Sequence, residues 1–395
     1  MRKCSVTDLD LRGKRVFVRT DFNVPLRNGK IEDDTRILAS LPTIRYALNQ
    51  GAAVVLASHL GRPGGKLEPA LSLSPIAACL SALLEAPVTF SKDTVGSFAH
   101  SAITHAGTGG ITLLENTRFH PEEEQNDSTF AGALATLGDI YINDAFGAAH
   151  RAHASTEGIV HHMPKAAVGL LMESELVNLN QVIKSPERPF VAILGGSKVS
   201  DKISVIQNFI DCVDALIIGG AMTYTFVKAS GGIIGNSLVE DDILNEARNI
   251  QQYASSQGIR LAVPRDHVVT DNPKGSKNYE ILKIGDPEIG ERIGVDIGPD
   301  TINDFKEIIK SARTIVWNGP MGIFEVEEFS KGTNAIARAV STVNGTKVIS
   351  GGDSIAAVNK ARLTNQMTHI STGGGASLQL LAGVGLPGVT VLPDL

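Results

Sequence analysis

Short, continuous runs of apolar residues recur along the chain and are separated by longer segments with helical periodicity. In the first half the runs are residues 15–19, 52–57, 87–90, 111–114 and 139–143. In the second half they are residues 190–194, 215–218, 259–263, 314–317, 347–350 and 368–371. Runs that are continuous rather than alternating are typical of strands buried in parallel sheets. We therefore predict an α/β protein with two doubly wound, mainly parallel-sheet (Rossmann-like) domains joined by a hinge helix.

Residues 172–189 separate the two sets of strands with a polar, helix-forming sequence that contains two prolines near its end. A chain of 395 residues is long for one hydrophobic core and comfortable for two domains. We expect an N-terminal domain over residues 1–172, an interdomain helix or linker over 173–189 and a C-terminal domain over 190–377.

The charge and the cysteine content exclude several classes of protein. The formal net charge is -6, which gives no electrostatic reason to expect nucleic acid or an anionic membrane as a partner. Cys4, Cys79 and Cys212 are far apart and odd in number, which excludes a disulfide framework and fits a reducing cytoplasm. No apolar run approaches the roughly 18 residues of a membrane span, and the N-terminus does not resemble a signal peptide. We therefore predict a soluble, cytoplasmic protein, and we expect a monomer.

The segment SHLGRPGGK, residues 58–66, has the composition of an anion site but does not match a nucleotide-binding P-loop. A P-loop reads G-x-x-x-x-G-K-[ST], whereas only three residues separate Gly61 from Gly65 here. Leu67 also stands where a magnesium-binding hydroxyl would be needed. The kind of anion must therefore be inferred from the rest of the chain.

Ligands of open α/β sheets bind beyond the carboxyl ends of the strands, so the residues after each strand are the candidate site. After the first-half strands the candidates are Arg19, Asn23, Arg36, His59, Arg62, Arg118 and Arg151. Arginine suits bidentate contact with phosphate and carboxylate, so these side chains could converge on a small polyanion. A single loop arginine is usually a solvated surface charge, but recurrence at several independent strand ends favours a binding site.

The strand ends of the second half carry glycine pairs instead. Backbone N–H groups of glycines at helix starts can closely approach a long phosphate chain. Lys198 and Lys202 add positive charge, and Asp353 is the acidic candidate for binding magnesium. Taken alone, a glycine pair is more often a turn, and Asp353 could equally N-cap a helix.

A set of motifs extends over the whole chain. In order they are VRTDFNVPL, LPTIRYAL, SHLGRPGG, LLENTRFH, NDAFGAAHRAHAS, GGSKVSDKI, GGAM, DIGPDT, WNGPMGIFE, GGDS and STGGGAS. Each is a moderate signal alone, but together and in this order they resemble the phosphoglycerate kinase family. The tail of that family returns to pack on the first domain, so the resemblance implies the same for residues 378–395.

The resemblance implies reversible phosphoryl transfer between 1,3-bisphosphoglycerate and ADP, giving 3-phosphoglycerate and ATP, with Mg2+ accompanying the nucleotide. It places the triose on the first domain and the nucleotide on the second. The triose-binding residues that it implies are Arg19, Asp21, Phe22, Asn23, Arg36, His59, Leu60, Gly61, Arg62, Arg118 and Arg151. The implied nucleotide-binding residues are Lys198, Lys202, Gly294, Asn318, Glu325, Gly351, Gly352, Asp353 and Ser354, and Asp353 would hold the magnesium.

The chemistry of this reaction needs no general base, because the acceptor is a carboxylate that is ionised at neutral pH. The difficulty is to bring two anionic groups together, and phosphoryl transfers solve it by positioning and charge stabilisation. The expected catalytic residues are Arg36 and Lys198 at the transferring phosphoryl group, and Gly373, Gly374 and Gly375, whose amides would stabilise its charge. We also expect the two domains to hinge together on binding both substrates.

Two positions depart from the family pattern, and two other classes of protein use similar sheets. Ser350 stands where a third glycine usually precedes GGDS, and Gln379 stands where a glutamate is common. A nicotinamide dehydrogenase is disfavoured because no G-x-G-x-x-G with a following acidic residue appears after any strand. A hinged two-domain solute-binding protein without catalysis is the remaining alternative, although it would not need Lys198 and Asp353.

Overall fold

Two units, each built around its own parallel sheet, make up the described chain. The computed structural model describes residues 2–27, 29–275 and 278–395. The first unit comprises Met1–Val177 and Gly385–Leu395, and the second comprises Asn178–Val384. Among the described helices, none has both the length and the apolarity needed to cross a bilayer.

The first unit alternates strands and helices. Its strands are β1 (Arg15–Arg19), β2 (Leu26–Arg27), β3 (Lys30–Ile31), β4 (Ala53–Ala57), β5 (Val88–Phe90), β6 (Ile111–Leu113), β7 (Ile140–Asn143) and β8 (Ala166–Val168). Its helices are α1 (Thr35–Asn49), α2 (Ser74–Leu84), α3 (Gly96–Ala106), α4 (Pro121–Glu124), α5 (Ser128–Ala135) and the start of α6 (Leu170–Lys184). Six strands form a parallel sheet in the order β5-β6-β4-β1-β7-β8, and β2 pairs with β3. Val16, Val54 and Leu80 belong to one of its buried cores, which covers a face of the sheet.

The strand order of this sheet fixes where its ligand site can lie. The chain leaves β1 toward β4 on one side and later returns to β7 on the other side of β1. Arg19 is paired in register with both Ala57 and Asn143, so the three strand ends lie at the same level. A reversal of strand order opens a crevice at these carboxyl ends, which is where open α/β sheets bind ligands.

The second unit repeats this plan and adds an antiparallel sheet. Its strands are β9 (Phe190–Leu194), β10 (Ala215–Ile218), β11 (Arg260–Ala262), β12 (Asp266–Thr270), β13 (Glu280–Lys283), β14 (Ile293–Ile297), β15 (Thr314–Asn318), β16 (Thr346–Ser350) and β17 (His369–Ser371). Its helices are α7 (Ile203–Ile210), α8 (Thr223–Ala229), α9 (Leu244–Ser256), α10 (Pro299–Lys310), α11 (Lys331–Ser341), α12 (Gly352–Lys360) and α13 (Gly375–Leu381). The parallel sheet has the order β11-β10-β9-β15-β16-β17, and the antiparallel sheet has the order β13-β12-β14. The strand order reverses between β9 and β15, where Leu194 pairs with Asn318.

The prediction of two doubly wound parallel sheets is confirmed. Every predicted apolar run coincides with a strand of these sheets to within one residue at each end. The sequence analysis missed β8, which has three residues, and the whole antiparallel sheet. One strand of that sheet, Glu280–Lys283, buries only Leu282, so it lacks the continuous apolar run by which the other strands were found.

The ends of the units differ from the predicted boundaries. Helix α6 begins at Leu170, where the Asp144 carboxylate accepts hydrogen bonds from the backbone N–H groups of Leu171 and Met172 at 3.0 and 3.1 Å. The returning tail, with helix α14 (Pro387–Thr390), belongs to the first unit from Gly385 onward rather than from residue 378. Residues 378–381 instead lie in α13, which packs against α7 within the second unit.

Candidate functional site

Arg19, the last residue of β1, lies inside the first unit with 1% of its surface exposed. Its Nε donates to the hydroxyl of Ser155 at 2.6 Å, and its Nη2 lies 3.8 Å from a carboxylate oxygen of the buried Glu123. Nη2 also lies 3.3 Å from Nδ1 of His59. A buried arginine needs such a counter-charge and hydrogen bonds. Glu123, Ser155 and His59 therefore hold the side chain of Arg19 at the end of β1.

Arg36 enters the same region from the first turn of α1. Its Nη1 donates to Oδ2 of Asp21 at 2.8 Å, and Oδ1 of Asp21 accepts from the backbone N–H of Asn23 at 3.2 Å. Oδ1 of Asn23 in turn accepts from the backbone N–H of Gly61 at 2.9 Å. This chain of contacts connects α1, the loop after β1 and the loop after β4.

The SHLGRPGGK loop is held by Arg118. Nη1 of Arg118 donates to the carbonyl oxygen of Gly61 at 2.8 Å. Nε of Arg118 is buried and makes no hydrogen bond among the described residues, although it lies 3.2 Å from a carboxylate oxygen of Glu124. Gly61 has a φ of +64°, which favours glycine, and a β-carbon there would lie 2.8 Å from the side chain of Leu71. A buried, incompletely used guanidinium remains available to an anion.

Three histidines lie in this cluster, and both burial and the nearby arginines lower their pKa values. Burial is the largest cause that lowers the pKa of His59 well below its ordinary value, and Arg19 and Arg118 lower it further. Burial and then Arg118 lower the pKa of His153 to about 3. Burial and Arg151 lower the pKa of His150 as well. All three imidazoles are therefore neutral at pH 7, and the site attracts anions.

The remaining predicted residues of the first unit occupy different positions. Phe22 and Leu60 have buried side chains in the hydrophobic core, and their backbone N–H groups already donate to Ser58 and Asn116. Arg62 is exposed. Arg151 is partly buried, and its Nε lies 3.2 Å from Nε2 of His150.

A cavity of about 350 Å³ lies beside β14 in the second unit, and its lining includes the predicted residues Gly294, Glu325 and Asp353. Most of the other lining side chains are apolar, such as Leu238, Ile284 and Ile323. Apolar walls with a few polar groups are typical of a site for a flat organic ring.

One polar part of this cavity comes from Tyr224 and His267. The hydroxyl of Tyr224 lies 2.9 Å from Nδ1 of His267, and both side chains are buried. Burial lowers the pKa of His267 to about 4, so the imidazole is neutral at pH 7. Nearby, burial raises the pKa of Asp296 to about 7, and its Oδ2 accepts from the backbone N–H of Gly332 at 2.7 Å.

A second cavity, also of about 350 Å³, adjoins the first, because Gly196, Ser197, Pro320 and Asp353 line both. Its lining includes the predicted nucleotide residues Lys198, Lys202, Asn318, Gly351, Gly352 and Asp353, together with Gly374, which was predicted to be catalytic. Lys198 is exposed, whereas Lys202 is only 8% exposed and donates from Nζ to Oδ1 of Asn318. Burial lowers the pKa of Lys202 to about 8.

The glycine turn before α12 is shaped by its neighbours. Gly351 is the N-cap of the helix with a φ of +87°, so Asp353 lies in the first turn and makes no side-chain capping bond. Asp353 is exposed and lines both cavities. The predicted ligand Ser354 is fully buried instead, and its hydroxyl accepts from the backbone N–H of Gly319 at 2.5 Å.

Asp353 fits the way proteins hold magnesium beside a nucleotide. Among the described residues, no group of three or more histidine, cysteine or acidic side chains could enclose a metal ion. Magnesium is commonly bound by one or two carboxylates together with substrate phosphates and water, rather than by a protein cage. A single exposed carboxylate at the edge of a glycine-lined cavity matches that mode.

The glycines before α13 were predicted to stabilise the transferring group. Helix α13 begins at Gly375, its N-cap is Gly374 with a φ of +52°, and Gly374 lines the second cavity. The backbone N–H of Gly373 donates to the hydroxyl of Ser371 at 3.3 Å.

Several residues that shape these sites were not found from the sequence. Glu123 and Ser155, which hold Arg19, are fully buried, but Glu123 lies in an acidic run that is typical of a solvated surface. Tyr224 and His267 belong to no motif that indicates a binding site, so the sequence gave no reason to select them. Only a search for coupled polar residues across distant segments could have found them.

The arginines at the strand ends of the first unit and the glycine-lined cavity with two lysines in the second unit define a two-domain α/β phosphotransferase. The phosphoglycerate kinase family model matches residues 6–384. Phosphoglycerate kinases of Moorella thermoacetica and Koribacter versatilis are 51% and 52% identical, and each comparison covers 100% of both chains. The chain therefore belongs to the phosphoglycerate kinase family.

Solved structures agree with this assignment. The phosphoglycerate kinase of Coxiella burnetii matches with a TM-score of 0.88 at 40% identity, and 98% of each chain is covered. The phosphoglycerate kinase of Pyrococcus horikoshii matches with a TM-score of 0.84 at 33% identity, with 98% of each chain covered. These findings do not favour the non-catalytic solute-binding alternative.

Proposed function

We propose that this chain catalyses reversible phosphoryl transfer between 1,3-bisphosphoglycerate and ADP, giving 3-phosphoglycerate and ATP. The observation that carries this proposal in the structure is the cluster that Arg19, Arg36 and Arg118 form at the loops after β1 and β4, where they contact His59, Asp21 and Gly61. Such a cluster suits a small molecule with both a phosphate and a carboxylate. Family membership supports the particular substrates.

In this proposal the first unit binds the triose. Arg118, Arg151 and the exposed Arg62 contact the negatively charged groups of the triose. Arg19 is buried and makes the electrostatic potential at the site more positive. Asp21, which accepts from Arg36, and Asn23, which accepts from the backbone N–H of Gly61, lie in the same network and would bind the hydroxyl groups of the triose. The carboxylate of 3-phosphoglycerate then attacks without a base, because it is ionised at neutral pH.

The second unit binds the nucleotide in the two adjoining cavities. The apolar cavity with Gly294 accepts the base, and the cavity with Lys202 and Gly352 accepts the phosphates. Asp353 would hold magnesium there, which would neutralise charge on the phosphates.

The transferring phosphoryl group is stabilised by positive charge and by backbone N–H groups. We assign Arg36 and Lys198 to this group, and the amides of Gly373, Gly374 and Gly375 to its equatorial oxygens. Preorganised donors of this kind are the main source of catalysis in phosphoryl transfer. Reacting atoms must come within roughly 3–3.5 Å, so closure of the two units around both substrates stays a prediction.

The proposed function is tested by a coupled assay. Purified protein with 3-phosphoglycerate and MgATP should form ADP, and omission of either substrate should abolish the signal. Lys198→Ala should lower kcat, because it removes charge at the transferring group. A protein that binds both ligands but forms no ADP would refute the proposal and restore the solute-binding alternative. Sedimentation velocity tests the further proposal that the protein is a monomer.

A further inference from the structure

Three neighbouring strands of the second unit end in buried polar residues. They are Asn318 at the end of β15, Ser350 at the end of β16 and Ser371 at the end of β17. Asn318 is paired in register with Ser350, and Ser350 with Ser371. Their exposed fractions are 2%, 0% and 0%. Buried polar side chains need hydrogen-bond partners, so the partners of these three residues indicate their role.

Ser350 and Lys202 hold the two ends of one amide group. Nδ2 of Asn318 donates to the hydroxyl of Ser350 at 2.9 Å. Oδ1 of the same amide accepts from Nζ of Lys202. The reverse orientation would place an NH2 group against an ammonium group, where neither can accept a hydrogen bond. The amide of Asn318 therefore offers Lys202 an acceptor only in this orientation.

The surrounding backbone limits other arrangements of the amide. A β-carbon at Gly351 would lie 2.9 Å from Nδ2 of Asn318, which shows how closely the glycine turn packs against the amide. Both Asn318 and Lys202 line the cavity to which we assign the nucleotide phosphates. A flipped amide would therefore remove a hydrogen-bond acceptor from Lys202, which is one of the cations that line this cavity.

We infer that Ser350 is a positioning residue for nucleotide binding: by accepting a hydrogen bond from Nδ2, its hydroxyl holds the side chain of Asn318 in place while the carbonyl oxygen faces Lys202. The inference rests on the proposed function. The inference also gives a role to one of the two positions at which this chain departs from the family pattern. The glycine that is usual at position 350 would have no hydroxyl to accept from the amide of Asn318. Ser350 itself contacts neither substrate in this account and acts through Asn318.

The test compares two variants of Ser350 with a matched control. Ser350→Ala removes only the hydroxyl, and Ser350→Gly introduces the residue that is usual in the family. Ser330→Ala is the control, because Ser330 is also buried in the second unit and accepts from an asparagine amide, that of Asn334, at 3.1 Å. Isothermal titration should show that both Ser350 variants raise the Kd for MgADP about tenfold, the effect of losing one hydrogen bond to a charged network. Ser330→Ala should leave this Kd unchanged.

A double-mutant cycle separates positioning from mere stability. In an Asn318→Ala background, Ser350→Ala should have no further effect on the Kd, because the group through which it acts is absent. Equal losses in both backgrounds would overturn the inference. So would a Ser350→Ala protein whose Tm falls while its Kd for MgADP and its KM for MgATP stay at wild-type values. Failure of the wild-type protein to bind MgADP would instead refute the proposed function.

Discussion

A β-carbon placed on Gly294 would lie 1.6 Å from the hydroxyl oxygen of Tyr224. Gly294 is on β14 and Tyr224 on α8, so two elements from different parts of the sequence meet at this point. The hydroxyl cannot simply move away, because it is also bonded to His267 at 2.9 Å. The glycine therefore lets a helix approach the strand and shapes the cavity to which we assign the base of the nucleotide.

Gly294→Ala is expected to weaken nucleotide binding. The added methyl group must displace Tyr224 and hence the wall of the cavity, and overpacking of this kind costs on the order of 1–3 kcal/mol. We expect the Kd for MgADP to rise roughly tenfold, with the affinity for 3-phosphoglycerate unchanged, as measured by isothermal titration. Gly132→Ala serves as the control, because its added carbon would lie 3.7 Å from the side chain of His162, which is an ordinary van der Waals contact. A wild-type Kd in Gly294→Ala would show that the cavity does not hold the nucleotide.

Arg118→Ala is expected to weaken triose binding and to leave nucleotide binding intact. The variant removes a buried guanidinium whose Nε has no hydrogen-bond partner among the described residues. A hydrogen bond to a charged group contributes about 1.5–3 kcal/mol, so the Kd for 3-phosphoglycerate should rise at least roughly tenfold. Arg15→Ala is the control, since Arg15 is at the opposite end of β1 and pairs with Asp139. Equal losses of affinity for MgADP and the triose would contradict this division of roles.

Asp353→Asn is expected to raise the magnesium concentration needed for half-maximal activity. The substitution keeps the size of the side chain but removes the charge that attracts the cation. Titration of MgCl2 at fixed ATP measures the effect. Asp300→Asn is the control, because Asp300 is likewise acidic and in the first turn of a helix, α10. Superimposable titrations for wild type and Asp353→Asn would show that Asp353 does not bind the metal.

Binding of 3-phosphoglycerate is expected to raise the pKa of His153. Burial and three arginines hold this pKa at about 3. Because the folded value is depressed, the neutral imidazole stabilises the fold above about pH 6.5, and that contribution is lost as the pH falls toward 3. A bound anion offsets the arginines, so NMR titration of labelled histidine should show a higher midpoint with the ligand. The midpoint of His267, which lies in the second unit, is the internal control and should not change when 3-phosphoglycerate binds. A His153 midpoint that stays fixed or falls on saturation would show that the triose binds elsewhere.

The apolar runs were enough to predict both parallel sheets, because a strand buried on two faces requires continuous apolar residues whatever its neighbours are. The same rule could not reveal β13, where only Leu282 is buried. The candidate ligand residues were found for a related reason. Arg19, Arg118 and Asp353 follow strands or open helices, and the positions of strand ends can be predicted from the strands themselves.

The sequence by itself determined the two α/β sheets, the family and the set of residues at the strand ends. Only the tertiary structure decided what those residues do to one another. It buried Arg19 beside Glu123, placed Ser350 beside the amide of Asn318, and paired Arg118 with the carbonyl of Gly61 and the carboxylate of Glu124. Hydrogen bonds, burial and pKa shifts depend on distances between segments far apart in the chain, and the local patterns of a single sequence carry no information about such distances.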